Sequence, residues 1–249
     1  MLTRLRWFLR KPDPVIREWE WYARRHRRER PEHHLGDEWN APEVIGLDAP
    51  PTEVVSSIDR MVVEPHLGRV DTILEIGAGG GRFTEALLPR ARHLIAADTS
   101  PTMLRLLKLR FRGQPKVSYI LLDGRCLAGI PDNSIDGAFS YDVFVHLPPW
   151  HIYVYLEELR RVLRPAGRAV LHHANTLSPL GWQRFLGDVA RVKSGEPAQA
   201  RFAPMTPSLM SELARRAGLA VRASVTTLVQ RDCITVLERM EPTLTADTP

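Results

Sequence analysis

From Val70 onward the chain alternates between short apolar runs and stretches of helical periodicity, and no other feature constrains its fold as strongly. The apolar runs that are long enough for strands are residues 70–76, 93–98, 117–122, 135–140 and 167–173. Helical stretches lie between several of these runs, near residues 82–90, 101–112 and 149–164. Alternation of this kind predicts a parallel sheet with helices on both of its faces.

Two further apolar runs, residues 219–228 and 232–238, lie too close together for a helix between them. Parallel neighbours need a crossover of a dozen or more residues, so we expect these two strands to be antiparallel. The predicted fold class is therefore α/β, a doubly wound, Rossmann-like seven-stranded sheet with an antiparallel last strand. Before these runs, Thr206 and Pro207 begin a helix that Gly218 ends.

Composition and turn signals divide the chain into three parts. In the first part, Asp13 and Pro14 begin a helix that runs to about Arg30, and Thr52 caps another helix that Pro65 ends. The predicted domains are a basic arm with a helical cap at 1–66, a ligand-binding sheet domain at 67–240 with an irregular insertion at 174–205, and a tail at 241–249. A short helix is expected within the insertion, at about residues 182–192.

The positive charge of the chain is concentrated at its N-terminus. Residues 1–30 hold ten Lys/Arg and four Asp/Glu, while the whole chain has a formal net charge of +5, so residues 31–249 sum to −1. Because the body is electrostatically neutral, we expect no nucleic-acid partner.

The sequence shows neither a membrane-spanning segment nor a recognised metal-ligand spacing. No apolar run approaches the ~20 residues of a membrane helix, so we expect no stable membrane insertion. The two cysteines, Cys126 and Cys233, form neither a disulfide framework nor a metal-ligand spacing, which favours a cytoplasmic location and no bound metal.

The first apolar run ends in a glycine-rich stretch, "EIGAGGGR", residues 75–82. A dinucleotide-binding turn has a third glycine where Arg82 stands here. Read as E-x-G-x-G-x-G, the stretch places Glu75 directly before a backbone turn made by Gly77, Gly79 and Gly81. An acid at this point repels a pyrophosphate and suits a cationic ligand with an α-amino group.

This stretch and the segments after it resemble the class I S-adenosylmethionine (SAM) methyltransferases, most closely their type 11 branch. The resemblance covers roughly residues 70–173 and includes the helix–turn–strand segment "YLEELRRVLRPAGRAVL", in which Ala166 replaces the commoner glycine. It implies SAM as the cofactor, with Asp98 on the ribose hydroxyls. The other residues that it assigns to the cofactor are Glu75, Gly77, Gly79, Gly81, Thr99, Met103, Asp123, Gly124 and Tyr141.

Candidate catalytic residues follow the fourth strand in "SYDVFVHLPP", which contains Asp142 and His146. Methyl transfer from a sulfonium is an in-line displacement that depends on positioning, and a hydroxyl acceptor also needs a base. This region resembles the natural-product sugar O-methyltransferases, in which a histidine after the fourth strand is the base. The resemblance implies that His146 is the base and that the acceptor is a saccharide or a glycosylated metabolite. The family's assisting acid lies near the end of the fifth strand, where this sequence has His172 and His173, so Asp142 is a catalytic candidate only from its place at the end of the fourth strand.

Candidate substrate residues lie outside that segment. "AVLHHANT" ends the fifth strand with His172 and His173, of which strand alternation lets only one face the cleft. Trp39 near the N-terminal cap and Trp182 in the insertion are aromatic residues that could close over a small-molecule acceptor. The protein could also form a homodimer.

Three other functions stay open at this stage. The enzyme could be an N- or C-methyltransferase for an amine or a quinone, which would not need His146 as a base. It could be an RNA methyltransferase guided by the basic arm, although no Asn/Asp-Pro-Pro-Tyr segment follows the fourth strand. A SAM-binding protein without activity is the third.

Overall fold

The computed structural model describes residues 14–29, 53–195 and 202–241. Its centre is a seven-stranded sheet with the order β3-β2-β1-β4-β5-β7-β6. The strands are β1 Val70–Ile76, β2 Ala91–Asp98, β3 Val117–Leu121, β4 Ile135–Ser140, β5 Leu163–Ala174, β6 Leu219–Val225 and β7 Asp232–Arg239. Strands β1 to β5 pair in parallel, and β7 is antiparallel to both β5 and β6. The predicted fold class is confirmed.

Helices cover both faces of this sheet. Their bounds are α1 Pro14–Glu29, α2 Val54–Ile58, α3 Glu64–Leu67, α4 Thr84–Leu87, α5 Pro101–Arg110, α6 Pro149–Val162, α7 Pro179–Lys193 and α8 Pro207–Arg216. A π-helical segment, Asp59–Val63, joins α2 to α3. Hydroxyl caps start three of the helices: Ser100 accepts the Met103 N–H, Ser178 the Gly181 N–H and Thr206 the Leu209 N–H.

The central strands are buried on both faces because helices cover each of them. In β1, Ile73 belongs to a core with α2, α3 and Phe83, whereas Leu74 belongs to the core on the opposite face, with α6 and α8. All of these side chains are almost completely excluded from solvent. An apolar run that is not interrupted by polar residues is typical of a parallel strand buried in this way.

The structure corrects some predicted element boundaries. Pro65 does not end its helix, since α3 continues to Leu67. A proline inside a helix cannot donate a backbone hydrogen bond, and its ring crowds the preceding turn. The wider π-helical segment directly before α3 accommodates the proline ring. The helix predicted at 82–90 is only α4 followed by a 3₁₀ turn, Leu88–Arg90.

Strand β5 also departs from the prediction, because it begins at Leu163 instead of residue 167. Its pairing with β4 shifts between Ile135 and Gly137, around a turn in which Ala166 has a φ of 60°. A residue with a β-carbon in this left-handed region costs about 1–2 kcal/mol relative to the right-handed one. The alanine that replaces glycine at this turn therefore has a cost in stability.

The N-terminal and insertion helices both exist. Helix α1 begins at Pro14, as predicted, and the insertion helix α7 is longer than expected. Predictions for residues 1–11, the Thr52 cap, Trp39 and the tail after residue 241 lie outside the described residues. The domain boundaries stay a prediction.

Candidate functional site

A large cleft lies at the carboxyl ends of β1, β2 and β4. The strand order reverses between β1 and β4, because β2 and β3 lie on one side of this boundary and β5 lies on the other. Ligands of open α/β sheets bind at such a switch point. The cleft encloses about 1090 Å³ of space, open solvent at its mouth included. Most of the residues predicted for the cofactor line it: Glu75, Gly77, Gly79, Asp98, Thr99, Met103, Gly124 and Tyr141.

The three glycines of the turn are required for three different reasons. Gly77 has a φ of +75°, and a β-carbon there would lie 2.1 Å from the Val143 side chain. Gly79 has a φ of +54°, and a β-carbon there would have nothing within 4 Å, so its surface is open toward a ligand. Gly81 lies outside the cleft lining, where a β-carbon would be 2.7 Å from Leu107 on α5, so its role is close packing.

Two buried carboxylates lie in this part of the cleft. Glu75 is 3% exposed and accepts a hydrogen bond from the Thr84 hydroxyl at 2.6 Å. Burial raises the pKa of Glu75 to about 8, and the negative charge of Asp98 adds to that rise. The charge of Asp98 thus opposes the ionisation of Glu75 in the ligand-free protein, and a cation in the cleft would favour the ionised carboxylate.

Asp98 connects the glycine turn to β2. Its carboxylate accepts the Gly79 N–H at 2.9 Å and the Ser100 N–H at 2.8 Å. Burial raises the pKa of Asp98, and these backbone hydrogen bonds oppose that rise. The side chain therefore shapes the turn from the base of the cleft, at the position where the family resemblance places the ribose.

The adenine end of the predicted site is partly different from the expectation. Thr99, Met103 and Gly124 line the cleft, but Asp123 does not. The Asp123 carboxylate instead accepts the N–H groups of Arg125 and Cys126, at 2.8 and 3.0 Å, and so caps its own turn.

Helix α1 forms one wall of the cleft through Ile16 and Trp19. The Ile16 side chain lies only 2.7 Å from the position of a β-carbon on Gly124, so glycine is needed there for the helix to approach. Glu20 fastens the helix to the start of α5, because it accepts hydrogen bonds from the hydroxyls of Ser100 at 2.5 Å and Thr102 at 2.6 Å. Sequence analysis expected a cap at the acceptor site but did not single out Ile16 or Glu20.

Asp142 lies at the end of β4 in the left-handed region, with a φ of 58°, and it lines the cleft. Its carboxylate accepts a hydrogen bond from Arg82 at 2.7 Å. Burial would raise the pKa of Asp142, but the charges of Arg82 and His172 outweigh burial, and the net effect lowers it. An ionised carboxylate held in this way is a weak base and a strong electrostatic partner.

His172 supports Asp142 from behind the cleft. Its Nδ1 accepts the Asp142 N–H at 3.1 Å, and its Nε2 faces the Asp232 carboxylate at 3.2 Å. The ring is fully buried and stacks on Tyr141 with centroids 4.1 Å apart. This placement corrects the expectation that His172 could contact the substrate.

His173 also lies away from the cleft. It is fully buried, its Nδ1 donates to the Ala174 carbonyl at 2.9 Å, and its Nε2 is 2.8 Å from the Thr235 hydroxyl. Burial lowers the pKa of His173 to about 4, so the ring is a neutral core residue. This buried position corrects the expectation that His173 could contact the substrate.

His146 faces the cleft from a 3₁₀ turn, Phe144–His146, directly after β4. Its ring centroid lies 4.9 Å from that of Trp19 on α1 and 5.1 Å from that of Phe202. His151, at the start of α6, lines the same cleft and was not predicted. Trp19, His146 and His151 make an aromatic and imidazole-rich wall on the side of the cleft that the β4 segment forms, whereas Phe202 contacts His146 from outside the cleft lining.

Trp182 does not share this wall. It lies on α7, is 49% exposed and stacks on Phe185 with centroids 5.1 Å apart, outside the cleft lining. Its position therefore corrects the expectation of a substrate contact there.

Comparison with known proteins shows what the domain that contains the cleft is similar to. Residues 74–171 match a family model described as a methyltransferase domain. An uncharacterised methyltransferase of Mycobacteroides abscessus is 33% identical over 113 residues, which cover 44% of this chain and 42% of the relative. One from Mycobacterium bovis is 30% identical over 129 residues, or 52% of this chain and 50% of the relative. The chain thus spans about half the length of the curated relatives it matches.

Solved structures share the fold at low identity. The YcgJ protein from Bacillus subtilis has a TM-score of 0.59 and 15% identity, covering 77% of this chain and all of its own. A magnesium protoporphyrin IX methyltransferase from Synechocystis, with bound S-adenosylhomocysteine (SAH), has a TM-score of 0.57 and 16% identity, covering 76% of this chain and 82% of its own. The sheet domain of this chain is therefore similar to SAM-dependent methyltransferases, in sequence over residues 74–171 and in fold over most of the chain.

The residues of the cleft fit SAM. Two buried acids, an open glycine turn and an apolar wall suit a ligand that combines a cationic amino acid with a nucleoside. Within the described part of the chain, no group of three or more metal-binding side chains occurs. In the same residues, no helix combines the length and the apolar character that crossing a bilayer requires.

Proposed function

We propose that this protein transfers the methyl group of SAM to a hydroxyl group of a small molecule. Bound SAM would supply an electrophilic methyl on a sulfonium. The observation that carries the proposal is the position of His146, a cleft-lining imidazole next to the ionised carboxylate of Asp142. A hydroxyl is a poor nucleophile while it keeps its proton, so a hydroxyl acceptor needs a base such as an imidazole at this position. A simple amine acceptor would not need such a base.

In this proposal His146 removes the hydroxyl proton and Asp142 assists by its charge. The charge of His146 is among the causes that lower the pKa of Asp142, so the two groups interact electrostatically. The same attraction favours the proton on His146 after it leaves the acceptor. Because Asp142 is held by Arg82 and His172, it supports the base without moving.

The acceptor class that we propose is a saccharide or a glycosylated metabolite. The aromatic side chain of Trp19, which lines the cleft and contacts His146, supports this class, because sugar rings stack on aromatic faces.

The deciding experiment identifies the methylated product. The protein is incubated with SAM carrying a ¹³C methyl group and with the small-molecule fraction of its source cells, and products are detected by mass spectrometry. The ¹³C chemical shift of the labelled methyl then distinguishes attachment to oxygen from attachment to nitrogen or carbon. A label on oxygen supports the proposal, and a label on nitrogen or carbon overturns it.

A variant of His146 tests the base once the acceptor is known. We expect His146→Ala to lower kcat about 100- to 10,000-fold and to leave SAH affinity nearly unchanged. His151→Ala is the matched control, because this second cleft-lining histidine has no assigned proton transfer. Equal losses in both variants, or an unchanged kcat in His146→Ala, would contradict the role of His146 as base.

A further inference from the structure

Three polar side chains from neighbouring strands form a row that leads away from the cleft. Asp142 directly follows β4, His172 lies in β5 and Asp232 is the first residue of β7, and β5 lies between the other two strands in the sheet. Their side chains are 15%, 0% and 2% exposed, in that order. Two carboxylates and an imidazole with so little access to water are costly unless they hold one another.

His172 joins the two carboxylates because it has a contact at each ring nitrogen. Its Nδ1 accepts the Asp142 N–H at 3.1 Å and lies 3.4 Å from the Asp142 carboxylate. Its Nε2 lies 3.2 Å from the Asp232 carboxylate, and the ring stacks on Tyr141. The position of the imidazole is therefore fixed at both nitrogens and on one face.

Asp142 needs such support because of its backbone conformation. Its φ of 58° lies in the left-handed region, which residues with a β-carbon seldom adopt. A residue keeps such a conformation only where its surroundings hold it there. The N–H group of Asp142 bonds to His172, so the imidazole stabilises the conformation that places the Asp142 carboxylate in the cleft wall.

Asp232 is a fixed charge at the far end of the row. Arg231 donates from its Nε to the Asp232 carboxylate at 2.9 Å, and the Asp232 N–H bonds to the Val229 carbonyl at 3.0 Å. Burial alone would raise the pKa of Asp232, but its contacts with His172 and Arg231 lower it to about 2. The carboxylate is therefore ionised at neutral pH and gives His172 a permanent partner.

We propose that Asp232 is a positioning residue that acts through His172 to hold the Asp142 carboxylate beside His146. Of the three residues in the row, Asp142 lines the cleft and the other two do not, so Asp232 and His172 act from outside the site. The inference rests on the proposed function, because there the charge of Asp142 assists His146 as base. If Asp232 no longer holds His172, the ring can move, and the Asp142 carboxylate loses its alignment with the base.

The first test measures amide hydrogen exchange by NMR in the ligand-free protein, so it needs neither cofactor nor acceptor. In Asp232→Ala we expect the Asp142 N–H to exchange about tenfold faster than in the native protein, relative to the amides of β4, because its acceptor is no longer held. Asp232→Asn keeps an oxygen near His172, so the increase should be smaller, and this variant carries the test if Asp232→Ala does not fold. His173→Gln is the matched control, because His173 is equally buried in β5 but bonds to Thr235, and it should leave the ratio unchanged.

The second test measures turnover with the acceptor identified under the proposed function. We expect Asp232→Ala to lower kcat about tenfold to hundredfold, because small displacements of an aligned group have effects of that size, while the acceptor KM and the SAH affinity change little. Asp232→Asn should recover part of the lost kcat, and His173→Gln should keep the native value.

Faster exchange at Asp142, together with a lower kcat at an unchanged KM, supports the positioning role. An unchanged exchange ratio or a native kcat in Asp232→Ala overturns it. So does a fall in kcat that is accompanied by equal losses of acceptor and SAH affinity, because that would indicate a general loss of structure. A methyl label on nitrogen or carbon would instead refute the proposed function, and the exchange ratio would still decide whether Asp232 holds Asp142.

Discussion

At the residue scale, the buried carboxyl of Glu75 suits a cationic ligand but lowers the stability of the ligand-free protein at neutral and alkaline pH. The carboxyl lies near Asp98 and is buried, and burial is the main reason that its pKa is raised from 4.5 to about 8. Between those pH values the folded chain keeps a proton that the unfolded chain has released, so stability falls as the pH rises from about 4.5 to about 8. A ligand ammonium reverses this, because it favours the ionised carboxylate.

We expect Glu75→Gln to separate stability from cofactor binding. The amide cannot ionise, so the variant should gain stability over the native protein as pH rises, by at most about 5 kcal/mol at pH 8.5. Urea denaturation of the ligand-free proteins at pH 5 and pH 8.5 measures this gain, and calorimetry should show weaker SAH binding. Glu85→Gln, at a side chain that is 71% exposed, is the control and should change neither quantity. A gain that is equal at both pH values would refute the buried-carboxylate explanation.

At the scale of elements, helix α1 connects the part of the cleft near Gly124 to the part near His146. Ile16 approaches Gly124, Trp19 contacts His146, and Glu20 bonds to Ser100 and Thr102 at the start of α5. Burial alone would raise the pKa of Glu20, but hydrogen bonds from Ser100, Thr102 and Arg24 lower it to about 2. Glu20 is therefore ionised throughout the physiological range, and its contribution is lost only as the pH falls from about 4.5 toward 2.

Loosening this contact should speed the release of the cofactor product. In Glu20→Ala, helix α1 loses its bonds to α5, and we expect the dissociation rate of SAH to rise about tenfold, in line with one or two lost charge-assisted hydrogen bonds. Stopped-flow fluorescence, with Trp19 in the cleft wall as a reporter, measures that rate. Glu29→Ala is the control, since Glu29 is an exposed acid at the far end of the same helix. An unchanged rate in Glu20→Ala would show that α1 does not retain the ligand.

At the scale of the whole molecule, one cleft collects residues from α1, the glycine turn and strands β1, β2 and β4. A ligand that contacts all of them stabilises the folded state by mass action. SAH at a hundred times its Kd contributes about 2.7 kcal/mol, which raises the Tm of a domain of this size by about 5–10 °C.

Hydrogen exchange tests whether that stabilisation includes helix α1. We expect SAH to slow exchange in residues 77–82 and in α1, since both contribute to the cleft wall. Calorimetric scanning gives the shift in Tm under the same conditions. A higher Tm without protection of α1 would show that the helix is not part of the cofactor site.

Much of the fold and of the cofactor site was predictable from sequence because both depend on local patterns. Strand–helix alternation gives the parallel order, and the short gap between the last two runs gives their antiparallel pairing. Glu75, Gly77, Gly79 and Asp98 were recognisable because the end of a strand and the turn after it adopt one geometry for a given spacing. Pro65 was misjudged because the π-helical turn that accommodates it has no sequence signal of its own.

The acceptor side depended on tertiary structure, because its residues come from segments that are distant in the chain. His172 and His173 are adjacent in sequence, yet one supports Asp142 and the other bonds to Thr235 in the core. Alternation along β5 indicated that they diverge, but only the packing of β7 on β5 decides what each ring meets. Likewise the contacts of Glu20 with Thr102, and of Trp19 with His146, exist only because α1 packs across the carboxyl end of the sheet. Side-chain chemistry and spacing determined the cofactor site, and the packing of distant elements determined what surrounds it.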